Sequence, residues 1–198
     1  MDNGRKSINE MFNGCKFFSI PYYQRGYAWG DKQLLDFFED FNTQYSLNSY
    51  YYGTILLFNK KGSDRITTLI IFVSCMIKRM RELNYKESQC NKLYEHFVKN
   101  EDGNYILSLQ PDDNDFFTTR ILGNEKAEAL NTPSQVKLLN AKDKFSLWLR
   151  SCDNKQIDEF LHKIYSTNIL VYLISSQVKV VGLTRYCIRY RRIWIFKY

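Results

Sequence analysis

The sequence predicts an α+β domain, a small mixed sheet followed by a helical region. Three observations carry this reading. Residues 50–58 (YYYGTILLF) form an aromatic and β-branched run with the composition of a strand. Residues 169–175 (ILVYLIS) repeat that composition near the other end of the chain. Between and around them, apolar residues recur at helical spacing. Strands at the two ends with helices between them define the mixed class, while leaving the strand order open. At 198 residues the chain suits one domain, or one domain with an appendage. We divide it into a core over residues 1–85, a mainly helical region of the same domain over 86–177, and an atypical basic tail over 178–198.

The elements follow in order. Residues 7–12 make a short first turn of helix, and residues 16–20 (KFFSI) a strand. Pro21 fixes its own φ and pushes Ile20 into an extended conformation. Gly26 then allows a sharp change of direction. Asp31 stands where an N-cap belongs, and Leu34, Leu35, Phe38 and Phe41 share one face of the helix that follows, opposite Asp36, Glu39 and Asp40. Residues 42–48 are a polar loop. In the strand at 50–58, Gly53 admits close approach of a neighbour. Residues 59–64 (NKKGSD) form a turn, after which Thr67 or Thr68 caps a long helix to Leu83. Its first half is apolar nearly all round and therefore buried, and its second half (KRMREL) emerges into solvent.

A further helix spans residues 88–99 and ends in the turn NEDGN at 100–104. Residues 105–109 are a short strand, and Pro111 opens a helix (PDDNDFFTTRIL) whose first-turn acids complement its dipole. Thr132-Pro133 is a cap followed by proline at the first helical position. Leu138, Ala141, Phe145, Trp148 and Leu149 mark that helix to about Arg150. Asn154 caps the next, which is lined by Ile157, Phe160, Leu161 and Ile164.

Charge is unevenly spread. The net charge is +7, but residues 178–198 hold six cations and no acid. Removing those six from the 28 cations leaves 22 against 21 acids in the rest of the chain. The body is therefore nearly neutral, and only the tail is a basic patch. Five scattered cysteines without a C-x-x-C pair, and two histidines (His96 and His162) without a second ligand at metal spacing, argue against a structural zinc site. Buried thiols in a reducing cytoplasm are expected. The polar opening MDNGRKSINEMF is no signal peptide, and the longest apolar run is too short to span a bilayer, so a soluble protein without membrane contact is expected.

Two stretches can carry chemistry. In IPYYQRGYAW, residues 20–29, Gln24 and Arg25 are flanked by Tyr22, Tyr23, Tyr27 and Trp29. A guanidinium offers a rigid fork of donors for phosphate or carboxylate. The same pattern also suits a structural corner whose aromatics are core and whose arginine pairs with a local acid. In GSDRITTL, residues 62–69, a strand, a turn and a helix start stand in sequence, where free backbone N–H groups and the positive end of the helix dipole favour an anion. Arg65 adds a cation there, and Thr67 and Thr68 add hydroxyls. A capping threonine beside a surface arginine is the alternative. The G-x-x-x-x-G-K-[ST] spacing of a P-loop is missing. Asp112, Asp113 and Asp115 are first-turn acids that need no metal.

Taken in order, IPYYQRGYAW, YYYGTILL, RITTL at a helix start and LQPDDNDFF resemble the N-terminal domain of GmrSD-type modification-dependent restriction endonucleases over about residues 8–177. The resemblance implies a ParB/sulfiredoxin-like core and a role in bacterial defence against phage DNA. In that role the domain binds and hydrolyses nucleoside triphosphates, with Mg²⁺ accompanying the nucleotide, to control a nuclease carried elsewhere. Tyr23, Gln24 and Arg25 match the family's Y-Q-R. Arg65, Thr67 and Thr68 match the end of its D-G-Q-Q-R-[LIF]-T-T-L. These assign Tyr23, Arg25, Arg65, Thr67 and Thr68 to phosphate binding, and Gln24, Arg25, Asp64 and Arg65 to catalysis, Asp64 standing in for a lost polar group.

Three departures qualify what the resemblance implies. The D-G-Q-Q segment is absent, either replaced by residues 61–64 or deleted together with the strand before it, so impaired catalysis is expected. Residues 178–198 do not fit the family's continuation, as a shifted reading frame or another truncating event would explain. No His-Asn-His nuclease domain accompanies the motifs, so a separate nuclease subunit is the expected partner. The competing functional readings are a non-enzymatic module that binds DNA through the basic tail or docks a partner, and an inactive truncated relic.

Overall fold

The computed structural model describes residues 4–13, 17–20, 22, 25–43, 51–57, 64–123, 130–166 and 168–173. In chain order the elements are β1 (Gly4–Ser7), α1 (Ile8–Phe12), β2 (Phe18–Ser19), α2 (Asp31–Thr43), β3 (Tyr51–Leu57), α3 (Asp64–Glu82), α4 (Glu87–Phe97) and β4 (Leu107–Ser108). They continue with α5 (Pro111–Phe116), a π-helical stretch (Phe117–Leu122), α6 (Pro133–Arg150), α7 (Asn154–Ser166) and β5 (Asn168–Leu173). The class is α+β.

The larger sheet is mixed and has the order β1-β5-β3, with β5 antiparallel to β1 and parallel to β3. A strand from near the end of the chain thus lies between two from its beginning, and the core and helical regions share one sheet. Pairing of β3 with β5 is irregular between Tyr51 and Thr54, the interval that holds Gly53. The smaller sheet pairs β2 and β4 in parallel. It is extended by hydrogen bonds from Phe18 N to Ile106 O (2.8 Å) and from Ile20 N to Ser108 O (2.9 Å), which fix where the IPYYQR stretch begins.

Helix α3 is the centre of the core. Residues 66–73 are all 0% exposed, and the helix packs against α4, α6 and α7. Phe72 lies 5.2–5.9 Å, centroid to centroid, from the rings of Phe41, Phe37, Phe145 and Phe160, which are contributed by α2, α6 and α7. The helix begins at Asp64, so Thr67 and Thr68 lie inside its first turns and do not cap it. Its second half is less solvated than its sequence implies. Met80 is buried, and Arg79 donates to the Cys152 carbonyl from Nε and Nη2 (3.3 and 3.0 Å).

Other corrections are local. The buried face of α2 is Leu34, Phe37 and Phe41, whereas Leu35 is exposed and Phe38 partly buried. The i, i+3, i+7 set faces α3, and Phe37, not Phe38, completes it. Asp31 is the first helical residue and no cap. Its carboxylate accepts from Asn140 (2.8 Å) and pairs with Lys144 (3.0 Å) on α6, contacts that hold its carboxyl below the usual range. Asp153, not Asn154, caps α7. Gln156 N donates to its carboxylate (2.9 Å) and the Gln156 side chain accepts from Asp153 N (3.1 Å). The stretch from Pro111 is helical as expected but widens into π geometry from Phe117. Ser7 caps α1 with a reciprocal Glu10 contact, and Thr132 caps α6 ahead of Pro133. Cys75, Cys90 and Cys152 are free and buried. The loop at 44–48, the turn at 59–63 and the tail at 178–198 lie outside the described residues.

Replacing Phe72 with alanine removes the ring that four others surround. It is expected to cost about 3–5 kcal/mol, whereas exposed Leu35→Ala stays within about 0.5 kcal/mol. Urea denaturation followed by circular dichroism measures both, and equal losses would contradict the placement of the core.

Candidate functional site

Residues 25–30 form a loop held between the starts of α3 and α6. Tyr27 anchors it. The ring is buried, its N–H donates to Ser134 Oγ (2.8 Å), and its hydroxyl shares a hydrogen bond with Thr68 Oγ1 (2.7 Å). Burial, together with the nearby Asp64 charge, pushes the phenol well above its ordinary range, and the Thr68 bond offsets this in part. Tyr27 is therefore a neutral structural pin. Ser134 lies in the first turn of α6, and Asp113 of α5 accepts from the Thr132 cap of that helix (2.8 Å).

Gly26 serves this junction differently from expectation. Among the described glycines positive φ belongs to Gly103 alone. At Gly26 the constraint is space: a Cβ there would lie 2.8 Å from Ser134 Cβ and 3.1 Å from Asp113 Oδ2.

On the outer side of the loop, Arg25 Nη2 lies 3.3 Å from Asp64 Oδ2, the first residue of α3. The Arg25 side chain is 60% exposed and that of Asp64 only 17%. Asp64 also accepts from the Ala28 backbone N–H and feels the charge of Lys137, whose Nζ donates to the Ala28 carbonyl (3.2 Å). Burial pushes the Asp64 carboxyl up, and Arg25, Ala28 and Lys137 pull it back without cancelling the rise. A carboxylate held ionised against its desolvation, with cations beside it at a helix start, belongs to a class of arrangements enriched at functional sites.

The structure thus brings Arg25, Asp64 and Arg65 to one place. Arg65 is half-buried and follows Asp64 directly in the first turn of α3. Thr67 and Thr68 belong to the same turns but are fully buried. Thr68 is engaged by Tyr27, and the Thr67 hydroxyl has no hydrogen-bond partner among the described residues. Thr68 thus braces the loop from within. Tyr23 and Gln24 lie outside the described residues. Sequence reasoning missed Ser134 and Lys137. The Thr132-Pro133 helix start was legible, but a serine and a lysine in the following turn are ordinary there, and nothing marked them as loop anchors. Among the described residues no group of three or more His, Cys, Asp or Glu side chains could hold a metal ion, and no helix is long and apolar enough to cross a membrane.

Fold and site together define an α+β domain with a cation-flanked helix start, built from the loop that carries Arg25 and an R-x-T-T helix opening. The chain belongs to the family of the GmrSD restriction endonuclease N-terminal domain, whose profile matches residues 8–184. It is a restriction-system domain, and its biological setting is defence against phage. The match begins in α1 and continues past residue 178, where we place the start of the basic tail. A search of curated proteins returned no match.

Two outcomes test this geometry. Gly26→Ala drives a methyl into Ser134 and Asp113 and is expected to cost about 1–3 kcal/mol, while Gly30→Ala, whose nearest neighbour would be Gln33 Oε1 at 3.7 Å, stays within about 0.5 kcal/mol. Equal denaturation midpoints for the two variants would refute the close packing at Gly26.

The second concerns pH. Because the folded protein raises the Asp64 pKa above its ordinary 3.8, the ionised carboxylate costs stability at neutral pH. The cost is relieved as pH falls through the raised folded value and is gone below the unfolded one. Asp64→Asn is therefore expected to melt at or above the wild-type temperature at pH 7, with the difference shrinking toward pH 4. Thermal melts showing wild type several degrees higher at pH 7 would reverse the sign.

Proposed function

We propose that this domain binds a nucleoside triphosphate and thereby regulates a DNA nuclease carried on another segment or subunit of the restriction system. The observation that supports this reading is the approach of Arg25 to the first turn of α3, 3.3 Å from Asp64 and next to Arg65. The first N–H groups of a helix have no intrahelical acceptor and carry the positive end of its dipole, and two guanidinium groups beside them suit a chain of phosphates.

In this reading Arg25 and Arg65 grip phosphate oxygens and the buried Tyr27–Thr68 pair keeps the loop and α3 in register beneath them. Tyr23 joins them in binding phosphate, and Gln24 orients water or the base. Mg²⁺ would accompany the triphosphate and offset part of its charge, so a site with few carboxylates would be adequate. Asp64 takes the place of the missing acid–amide set but is already engaged by Arg25. Binding is therefore retained while hydrolysis is impaired. DNA contacts through residues 178–198 belong to the same proposal as a separate, salt-sensitive activity.

Calorimetric titration of the full chain with GTP and with ATP, each with Mg²⁺, tests the reading. At least one nucleotide is expected to give saturable heat, and Arg65→Ala is expected to weaken it roughly tenfold or more, the loss of a charge-assisted contact. Phosphate release should be slow compared with binding. No heat from either nucleotide, with Arg65→Ala behaving as wild type, would end the proposal.

A further inference from the structure

The least expected feature of the site is that an anion already occupies it. The Asp64 carboxylate receives the Arg25 guanidinium, the Ala28 backbone N–H and the field of Lys137, and it does so at the first residue of a helix. Those are the groups that an exogenous oxyanion would use: a guanidinium, an ammonium, a backbone donor and a helix start. The carboxylate is drawn in from solvent to make these contacts, with 17% of its side chain exposed against 60% for Arg25. One turn along the same face of α3, at i+3, stands Thr67, fully buried and with its hydroxyl unpaired among the described residues. A polar group buried without a partner costs stability and is uncommon where no ligand or rearrangement uses it.

We propose that Asp64 is an internal anion that holds the site closed, and that a polyphosphate binds by displacing its carboxylate from Arg25. The inference rests on the reading of the site as a phosphate site and adds its regulation. Arg25 is the part that moves. Its side chain is largely in solvent, whereas Asp64 is fixed to the helix and held by Ala28. When phosphate takes Arg25, the two negative groups stand side by side. Affinity is therefore set by the strength of the Arg25–Asp64 pair, and whatever neutralises the carboxylate, a bound divalent cation included, opens the site. The charged groups that act on Asp64 are Arg25 from the loop and Lys137 from α6, and the Tyr27 phenol, which feels its charge, is neutral.

The probe is inorganic tripolyphosphate, titrated with EDTA present and at fixed ionic strength into the full-length wild type, Asp64→Asn, Asp64→Ser, Arg25→Gln and the Arg25→Gln/Asp64→Asn pair. Each variant is first checked for a cooperative melt. Relief of one nearby like charge, discounted for solvent screening, is expected to tighten tripolyphosphate binding roughly tenfold in Asp64→Asn and Asp64→Ser. Most of that gain should vanish when Arg25 is already glutamine, because the cycle isolates the pair. Binding by the Asp64 variants that is no tighter than wild type, or a gain that survives Arg25→Gln unchanged, overturns the proposal, as does the absence of tripolyphosphate binding in every variant. Parallel titrations with GTP and ATP keep the two readings apart. Tighter tripolyphosphate binding in Asp64→Asn with no preference for either nucleotide would sustain the internal anion and remove the nucleotide. Nucleotide binding that Asp64→Asn weakens would do the reverse.

Discussion

A helix that is apolar on nearly every face can exist in water only when other elements cover all of it, and α3 imposes that condition on the rest of the chain. Residues 66–73 have no exposed surface. Helices α4, α6 and α7 pack on it directly, and α2 joins the enclosure through its own contacts with α6 and α7 and through Phe37 and Phe41 against Phe72. Enclosure has a consequence at the amino-terminal end, where a buried helix must present its unpaired N–H groups somewhere. The loop 25–30 lies against this start of α3 and is fastened on two sides, to Thr68 through the Tyr27 hydroxyl and to Ser134 through the Tyr27 N–H. Packing of the core and placement of the candidate site are therefore one problem with one solution.

The electrostatics of that junction are opposed to its packing. Tyr27, Thr67 and Thr68 lie in a dry interior, and at its edge burial pushes the Asp64 carboxyl up while Arg25, Ala28 and Lys137 pull it back. A surface ion pair of this kind adds little to stability. Its value lies in placing an exposed guanidinium and a largely buried carboxylate next to each other, so that a third charged group can compete for either. Lys137 gives α6 a share in that competition, and with it the helical half of the domain a direct connection to a site whose motif residues lie in the first third of the chain.

Much of this was legible in the sequence because local chemistry and tertiary structure agree. Ser7 with Glu10, Thr132 before Pro133, and the 138-141-145-149 face of α6 each form as their residue types dictate. Reading failed where a choice depended on what lay across the interface. Leu35 and Phe37 are both apolar and both adjacent to the buried stripe of α2, and only the position of Phe72 decides that Phe37 turns inward. Thr67 and Thr68 carry the residue type of a helix cap, but the helix starts three residues earlier, and their hydroxyls end inside the protein. Gly26 invited a conformational explanation and received a steric one. The resemblance grouped Arg25 with Asp64 and Arg65, while Lys137, more than a hundred residues away from Arg25, had no local signature.

The order of strands in the mixed sheet bears on how the chain is made. β1 and β3 emerge from the ribosome early, yet neither pairs with the other. Both await β5, which is synthesised more than a hundred residues later. A nascent chain therefore carries two unpaired strands until β5 has been made, a long-range closure that slows folding and exposes the intermediate to self-association. Formation of this sheet therefore waits on β5, the strand that both of the others need as a neighbour.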